Sequence, residues 1–318
     1  MTPDFASRRA AGFRPFLDVP HAPDLGGVAA DIAIIGIPFG APYSMAGVHG
    51  HSAKAPDAIR AASFRAFDGF DHWDFDLGGT LLDGKPVRIV DCGDVPGDPI
   101  DIPGTCRRAT EAVRAILDRG ALPIMFGGDH SISCQTFKAY EAHGPVTIVQ
   151  VDAHLDWRHE VNGVTEGYSS PMRRASEMPW VEGMVQIGLR GTGSAREQEL
   201  CDARAYGSVI VTARELREQG MARVLQRIPA GRNYLITVDC DGVDPTIMPA
   251  VDGPVPGGPG YPEMAALMEG LARRGRVVGF DLVELVPHRD VNEITAIAGC
   301  RIVLELIGWL VRTGRFGN

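Results

Sequence analysis

Val146-Thr-Ile-Val-Gln-Val-Asp-Ala-His-Leu-Asp156 is the stretch on which the fold turns. Its first part, Val146–Asp152, is apolar and β-branched at nearly every position, which suits a strand covered on both faces. Such strands belong to parallel sheets, whose neighbours arrive through crossover helices. The stretch then becomes polar. Extended side chains alternate between faces, so Asp152, His154 and Asp156 can project to one side just past the strand.

Outward from here the same rhythm repeats. Strands are expected at Asp31–Ile37, Val87–Asp91, Leu122–Phe126, Met184–Leu189, Ser208–Val211, Tyr234–Asp239 and Val277–Leu282, eight in all with the first. Helical patterns lie between several of them, most clearly Thr105–Asp118, Ser131–Ala142 and Tyr261–Arg273. The fold class is therefore α/β: one three-layer domain over residues 1–318, with a central, mostly parallel eight-stranded sheet flanked by helices and residues 1–30 as an N-terminal extension. Pro249–Pro262 reads as a Pro/Gly-rich loop within that domain. In open α/β sheets ligands bind at the carboxyl ends of the strands, so polar residues there come first.

Two further strand ends carry the same residue types. Leu122–Phe126 runs into Gly127-Gly-Asp-His-Ser131, and the strand ending at Asp239 continues as Asp239-Cys-Asp-Gly-Val-Asp-Pro245. Aspartates crowded at the end of a buried sheet repel one another unless a cation neutralises them. Four carboxylates and two imidazoles suffice for two divalent metal ions per chain with shared carboxylates. The oxygen-rich set favours Mn²⁺, with Ni²⁺ and Co²⁺ as competitors. Two such ions can share a water, lower its pKa and hold it as hydroxide. One histidine after a strand is more often a hydrogen-bonded core residue than a ligand, and one D-x-D is usually a turn signal. It is the recurrence at three strand ends that points to metal.

In this order and at roughly these separations, the GGDHS, DAHLD and DCDGVDP segments resemble the ureohydrolases: arginase, agmatinase, guanidinobutyrase, guanidinopropionase and formiminoglutamase. The likeness is strongest toward the agmatinase branch, and runs from Asp31-Ile-Ala-Ile-Ile-Gly-Ile-Pro-Phe39 through Arg88-Ile-Val-Asp-Cys-Gly-Asp-Val95 to Gly279-Phe-Asp-Leu-Val-Glu284. It implies an arginase-like fold and a binuclear-metal hydrolase that cleaves a C–N bond of a guanidino compound to urea and an amine. The substrate implied is agmatine-like, a guanidino acid or a small alkylguanidine. By this resemblance His130, Asp152, Asp156 and Asp239 would hold one ion, and Asp152, His154, Asp239 and Asp241 the other. Asp156 would also orient the attacking hydroxide, and Glu284 would receive the substrate guanidinium, accepting two N–H groups side by side. Family members form trimers or hexamers, so a homo-oligomer is implied, with a hetero-oligomer as the alternative.

Departures from the family pattern cluster around the pocket. Arginases and agmatinases carry a proton-shuttling histidine past the DAHxD motif, and the matching position here is Glu166. A glutamate could move that proton if a dry pocket raised its pKa, or it could contact the substrate tail. The loops Gly40–Ser52 and Pro249–Gly258 also differ from the family's usual sequences. His49, His51, Tyr43, Trp157, Arg158, His159, Asn162 and Tyr168 are accordingly candidates for substrate-tail contacts, while Arg190 is expected to brace structure. Two alternatives follow from the altered site. One is a formimino-compound hydrolase releasing formamide; the other is a non-catalytic partner subunit, which the intact ligand set opposes. A calcineurin-like phosphoesterase would place its D-x-H motif first, whereas here GGDH precedes it.

Composition narrows the partners. A formal charge of −9 argues against the basic surface that nucleic acid requires. Six cysteines stand singly with no CxxC pair, so a reducing cytoplasm is expected. No apolar run follows the arginines near the N-terminus, so no secretory signal is expected. Ile294–Val311, interrupted by Arg301 and Glu305, reads as a buried C-terminal helix rather than a membrane span.

Overall fold

The computed structural model describes residues 13–41, 43, 51–98 and 100–316. Ten strands occur in chain order: β1 (Ile32–Ile37), β2 (Trp73–Asp74), β3 (Gly79–Thr80), β4 (Ile89–Asp94), β5 (Leu122–Gly127), β6 (Val146–Val151), β7 (Val181–Leu189), β8 (Val209–Thr212), β9 (Asn233–Asp239) and β10 (Arg276–Val283). The helices are α1 (Ala55–Ala66), α2 (Ile102–Asp118), α3 (Ser131–Lys138), α4 (Pro171–Ser176), α5 (Glu197–Tyr206), α6 (Ala213–Gln219), α7 (Met221–Arg227), α8 (Tyr261–Arg274) and α9 (Ile294–Arg312). β2 and β3 form a small antiparallel hairpin, and the other eight strands make one sheet in the order β4-β1-β5-β10-β9-β6-β7-β8. Every pairing in that sheet is parallel.

Alternation along β1 shows how the layers form. Ile32 and Ile34 join a core shared with α1, α8 and α9, while Ala33, Ile35 and Ile37 join another shared with α2 and α3. Both faces are thus apolar, as the uninterrupted β-branched strands require. Helix α9 is long and apolar enough to cross a membrane, but 78% of its apolar window is buried in the protein. It packs against α1 and α8.

The segment expected to be an extension joins the core from Phe16 onward. The Phe16 ring meets Phe126 edge-on at 5.1 Å, and its amide donates to Asp91 Oδ2 at 2.9 Å. Asp91 also receives the buried Arg60 guanidinium, through Nε at 2.8 Å and Nη2 at 3.0 Å, while Arg60 Nη1 reaches Asp94 at 2.7 Å. This network lies at the end of β4 and explains why that strand continues past Asp91. Removing one partner of a buried ion pair leaves the other uncompensated. Arg60→Ala is expected to lower unfolding free energy by about 3–5 kcal/mol, read from urea titration. A change under about 1 kcal/mol would show that water compensates Asp91 instead.

Candidate metal centre

Four adjacent central strands, β5, β10, β9 and β6, deliver the candidate site residues from their carboxyl ends. Glycines let the loops meet there. A Cβ on Gly128 would collide with the carbonyl of Phe39, and one on Gly242 would lie 2.6 Å from the Asp152 amide nitrogen. Only glycine permits such close approach of backbones, which brings the loop after β9 against the end of β6.

His130 is 1% exposed and faces three carboxylates at once. Its Nδ1 lies 3.2 Å from Asp152 Oδ2, 2.9 Å from Asp156 Oδ2 and 3.2 Å from Asp239 Oδ2. Nε2 is 3.0 Å from Thr237 Oγ1, and a proton on Nε2 donated to that oxygen leaves the Nδ1 lone pair aimed at the carboxylates. Nδ1 makes no hydrogen bond of sound geometry. One N–H could serve one of those oxygens, not three, so the set fits a divalent cation better than a hydrogen-bonded core histidine. On the other side His154 Nδ1 lies 3.1 Å from Asp241 Oδ2 and 3.5 Å from Asp152 Oδ1. His130, Asp152 and Asp239 form one potential ligand group and Asp152, His154 and Asp241 another, the donor atoms of each lying within 4.8 Å of one another. Asp152 is common to both.

The electrostatics carry the same message. Burial, then the Asp152 charge, pushes Asp156 up to about 7. Burial together with Asp241 and Asp152 raises Asp239 well above the carboxylate range. Asp152 goes the other way, because the neighbouring His130 and His154 rings outweigh its burial. The pull of Asp152 and Asp241 drives His154 up to about 12. Such mutual perturbation is what several acids produce around a space suited to positive charge.

Glu284 stands at the end of β10 with φ of +64°. Its Oε1 accepts the His130 amide at 2.8 Å, and its own amide donates to Gly128 O at 2.9 Å. Oε2 accepts no hydrogen bond among the described residues, and the side chain is partly exposed.

Glu166 is elsewhere. Its Oε1 is 2.6 Å from Lys138 Nζ and its Oε2 accepts Gln135 Nε2 at 2.8 Å. Burial raises its pKa, but those two partners outweigh it and the net shift is downward. The dry pocket that proton transfer by Glu166 would require is not what surrounds it: it sits in a half-buried ion pair, a poor setting for a general acid. The pair lines a cleft of about 920 Å³ between α2, α3 and residues 163–166, to which none of the ligand candidates contributes. Glu166→Gln is expected to leave the pH dependence of kcat/KM unchanged and to cost at most about 1 kcal/mol in stability. A lost or displaced limb in the pH–rate profile would return Glu166 to the chemistry.

The remaining candidates divide. Tyr43 and Tyr168 pair at 4.5 Å, and the charges of Glu284, Asp129 and Asp252 reach the Tyr168 hydroxyl. Asn162 Nδ2 donates to the Tyr43 carbonyl at 3.1 Å, while His51 Nδ1 is 2.9 Å from Asp252. His159 instead faces Arg174, 3.3 Å away, on the cleft side. Trp157 is 2% exposed and packs on Tyr206, and Arg158 pairs with Glu199 at 3.1 Å, so neither is a tail contact. His49 lies outside the described residues. Arg190 donates to the carbonyls of Asp241, Gly242 and Val255, bracing the loop after β9.

Two contributors escaped the sequence reading: Thr237, behind His130, and Gln150, whose Nε2 donates to Asp152 Oδ2 at 2.6 Å. The signal was there in period two, since each sits two residues before a candidate ligand, Asp239 or Asp152.

Residues 30–308 match the Arginase family. The chain belongs to it. Relatives agree along nearly the whole length. Proclavaminate amidinohydrolase of Streptomyces clavuligerus is 31% identical over 97% of this chain and 96% of its own. Its solved structure superposes with a TM-score of 0.78 at 30% identity, covering 96% of this chain and 100% of that one. The mitochondrial arginase of Medicago truncatula is 33% identical over 89% of this chain and 82% of its own. Formimidoylglutamase of Bacillus subtilis superposes with a TM-score of 0.78 at 25% identity, covering 96% of each chain. Arginase-family members are binuclear divalent-metal hydrolases of amidino and guanidino C–N bonds, and this chain is a hydrolase of that class.

Proposed function

We propose that this chain, acting as a single domain, releases urea from a guanidino compound with a neutral or cationic tail. His130, Asp152, Asp156 and Asp239 would hold one ion and Asp152, His154, Asp239 and Asp241 the other, Mn²⁺ suiting this oxygen-rich set best and Ni²⁺ or Co²⁺ competing. The observation carrying the reading is Asp152, one oxygen toward His130 at 3.2 Å and the other toward His154 at 3.5 Å. When bound, the ions supply an activated water and neutralise charge developing at the amidine carbon.

The chain's own residues do the rest. Glu284, with Oε1 anchored by His130, offers Oε2 to the guanidinium and orients its plane. Asp156 accepts a hydrogen bond from the water, takes the proton of the attacking hydroxyl and passes it to the departing nitrogen, which leaves as the amine. Tyr43 and Tyr168 flank the tail, and the acids around Tyr168 favour a cation or neutral group there over a carboxylate. A homo-oligomer belongs to this reading and is supported by exposed Trp73 and Phe75, 62% and 90% accessible. A cytoplasmic setting is supported by six free cysteines.

A second reading, hydrolysis of a formimino compound to formamide, is favoured by Glu166 in place of the shuttle histidine and by the similarity to formimidoylglutamase. The deciding experiment loads the protein with Mn²⁺, Ni²⁺ or Co²⁺, offers agmatine, guanidino acids, alkylguanidines and formimino compounds, and measures urea, formamide and amine. Urea from cationic or neutral guanidines is expected. Formamide release would select the second reading, and no turnover by protein holding two ions would make the chain a non-catalytic subunit.

A further inference from the structure

Behind the ligands a line of buried side chains crosses three strands. Ser208 Oγ, beside β8, donates to Gln186 Oε1 at 2.8 Å. Gln186 Nε2, on β7, donates to Gln150 Oε1 at 2.7 Å and to the Leu155 carbonyl at 2.9 Å. Gln150 Nε2, on β6, donates to Asp152 Oδ2 at 2.6 Å and to Asp156 Oδ2 at 3.4 Å. Gln150 and Gln186 are fully buried, and Ser208 is 9% exposed.

A glutamine amide in isolation can be turned over, exchanging donor and acceptor. Here the direction is forced. The Leu155 carbonyl only accepts, so Gln186 presents its NH₂ there and its oxygen to Ser208. The same NH₂ reaches the Gln150 oxygen, which commits the Gln150 NH₂ to two carboxylates that, ionised, can only accept. A flip at Gln186 would set its oxygen against the Leu155 carbonyl and the Gln150 oxygen, and a flip at Gln150 would set like groups against each other at both ends, at the cost of buried unsatisfied atoms.

We infer that Gln150 is a positioning residue for the metal centre, and that Gln186, oriented by the Leu155 carbonyl, sets the direction in which it donates. The inference rests on the metal-centre reading above. One amide bridges two acids that would otherwise repel, holding Asp152 with an oxygen toward each histidine.

The test measures Mn²⁺ binding by calorimetry and by metal content after dialysis, beside kinetics and thermal melts without metal. Gln150→Leu, which removes the donors and keeps most of the volume, is expected to weaken binding about 10- to 100-fold. It should also lower kcat more than it raises KM. Gln150→His, which restores a donor, should recover part of the affinity, and Gln186→Met should shift it the same way by less. Should Gln150→Leu fail to fold, Gln186→Met carries the test. Wild-type affinity in the folded variants, or no recovery with histidine, would overturn the inference. Wild-type protein that binds no ions would instead overturn the metal-centre reading itself.

Discussion

Asp239→Ala is expected to retain at most about one divalent ion per chain and to lose on the order of 10³-fold or more in kcat. The carboxylate has two tasks. Its Oδ2 lies 3.2 Å from His130 Nδ1, and its Oδ1 accepts the Asp241 amide at 2.8 Å, capping the turn Cys240–Gly242 that carries the next ligand. Truncation therefore removes one ligand and loosens another. Stability should move the opposite way from most core substitutions. Burial and the neighbouring Asp241 and Asp152 charges oppose ionisation of Asp239, so losing it relieves repulsion in the metal-free protein. Metal-free wild type and variant should melt at similar temperatures, or the variant higher. Excess Mn²⁺ should then raise the wild-type melting temperature through roughly 4 kcal/mol of linkage at a thousand times its Kd, and the variant's hardly at all. A variant that keeps two ions and full turnover would remove Asp239 from the ligand set.

Glu284→Gln should separate substrate recognition from metal binding. Glutamine keeps an oxygen for the His130 amide, so the contact between the segments that follow β5 and β10 should hold and the metal content should not change. What disappears is the negative charge facing the guanidinium. Losing one partner of a desolvated charge pair costs roughly 3–4 kcal/mol, which corresponds to a fall of about 10²- to 10³-fold in kcat/KM. Steady-state kinetics on a guanidine and on an uncharged amidine analogue should diverge, the guanidine suffering more. Equal kcat/KM for wild type and variant on the guanidine would show that Glu284 serves only the loop.

The eight strands were legible because each is a buried apolar run ended by turn residues, a signal local to the chain. Their ends moved by up to three residues where tertiary contacts decide, as at β4, drawn on to Asp94 by Arg60. Helices α6 and α7, seven residues each, are too short to show an apolar period, and α1 and the β2–β3 hairpin gave no pattern at all. The cluster of acids and histidines was legible because these residue types recur just past the ends of three strands that the fold brings together. Trp157 and Arg158 drew notice because they follow Asp156 in sequence, whereas Trp157 is buried in the core against Tyr206 and Arg158 pairs with Glu199. The ion pair of Glu166 was hidden for a different reason. Its partner Lys138 arrives from α3, and no local pattern foretells a contact between those segments.

The sheet order also bears on how the protein is made. β9 and β10 are the last strands to be synthesised, yet they lie between β5 and β6 in the middle of the sheet. Until they insert, His130 has neither Asp239 nor Thr237 beside it, and β5 has no β10 neighbour. Long-range parallel pairing of this kind is slow to form. On the proposed ligand set metal capture would be a late event, and the time course of ion uptake during refolding is expected to report when the centre of the sheet has closed rather than when the chain first collapses.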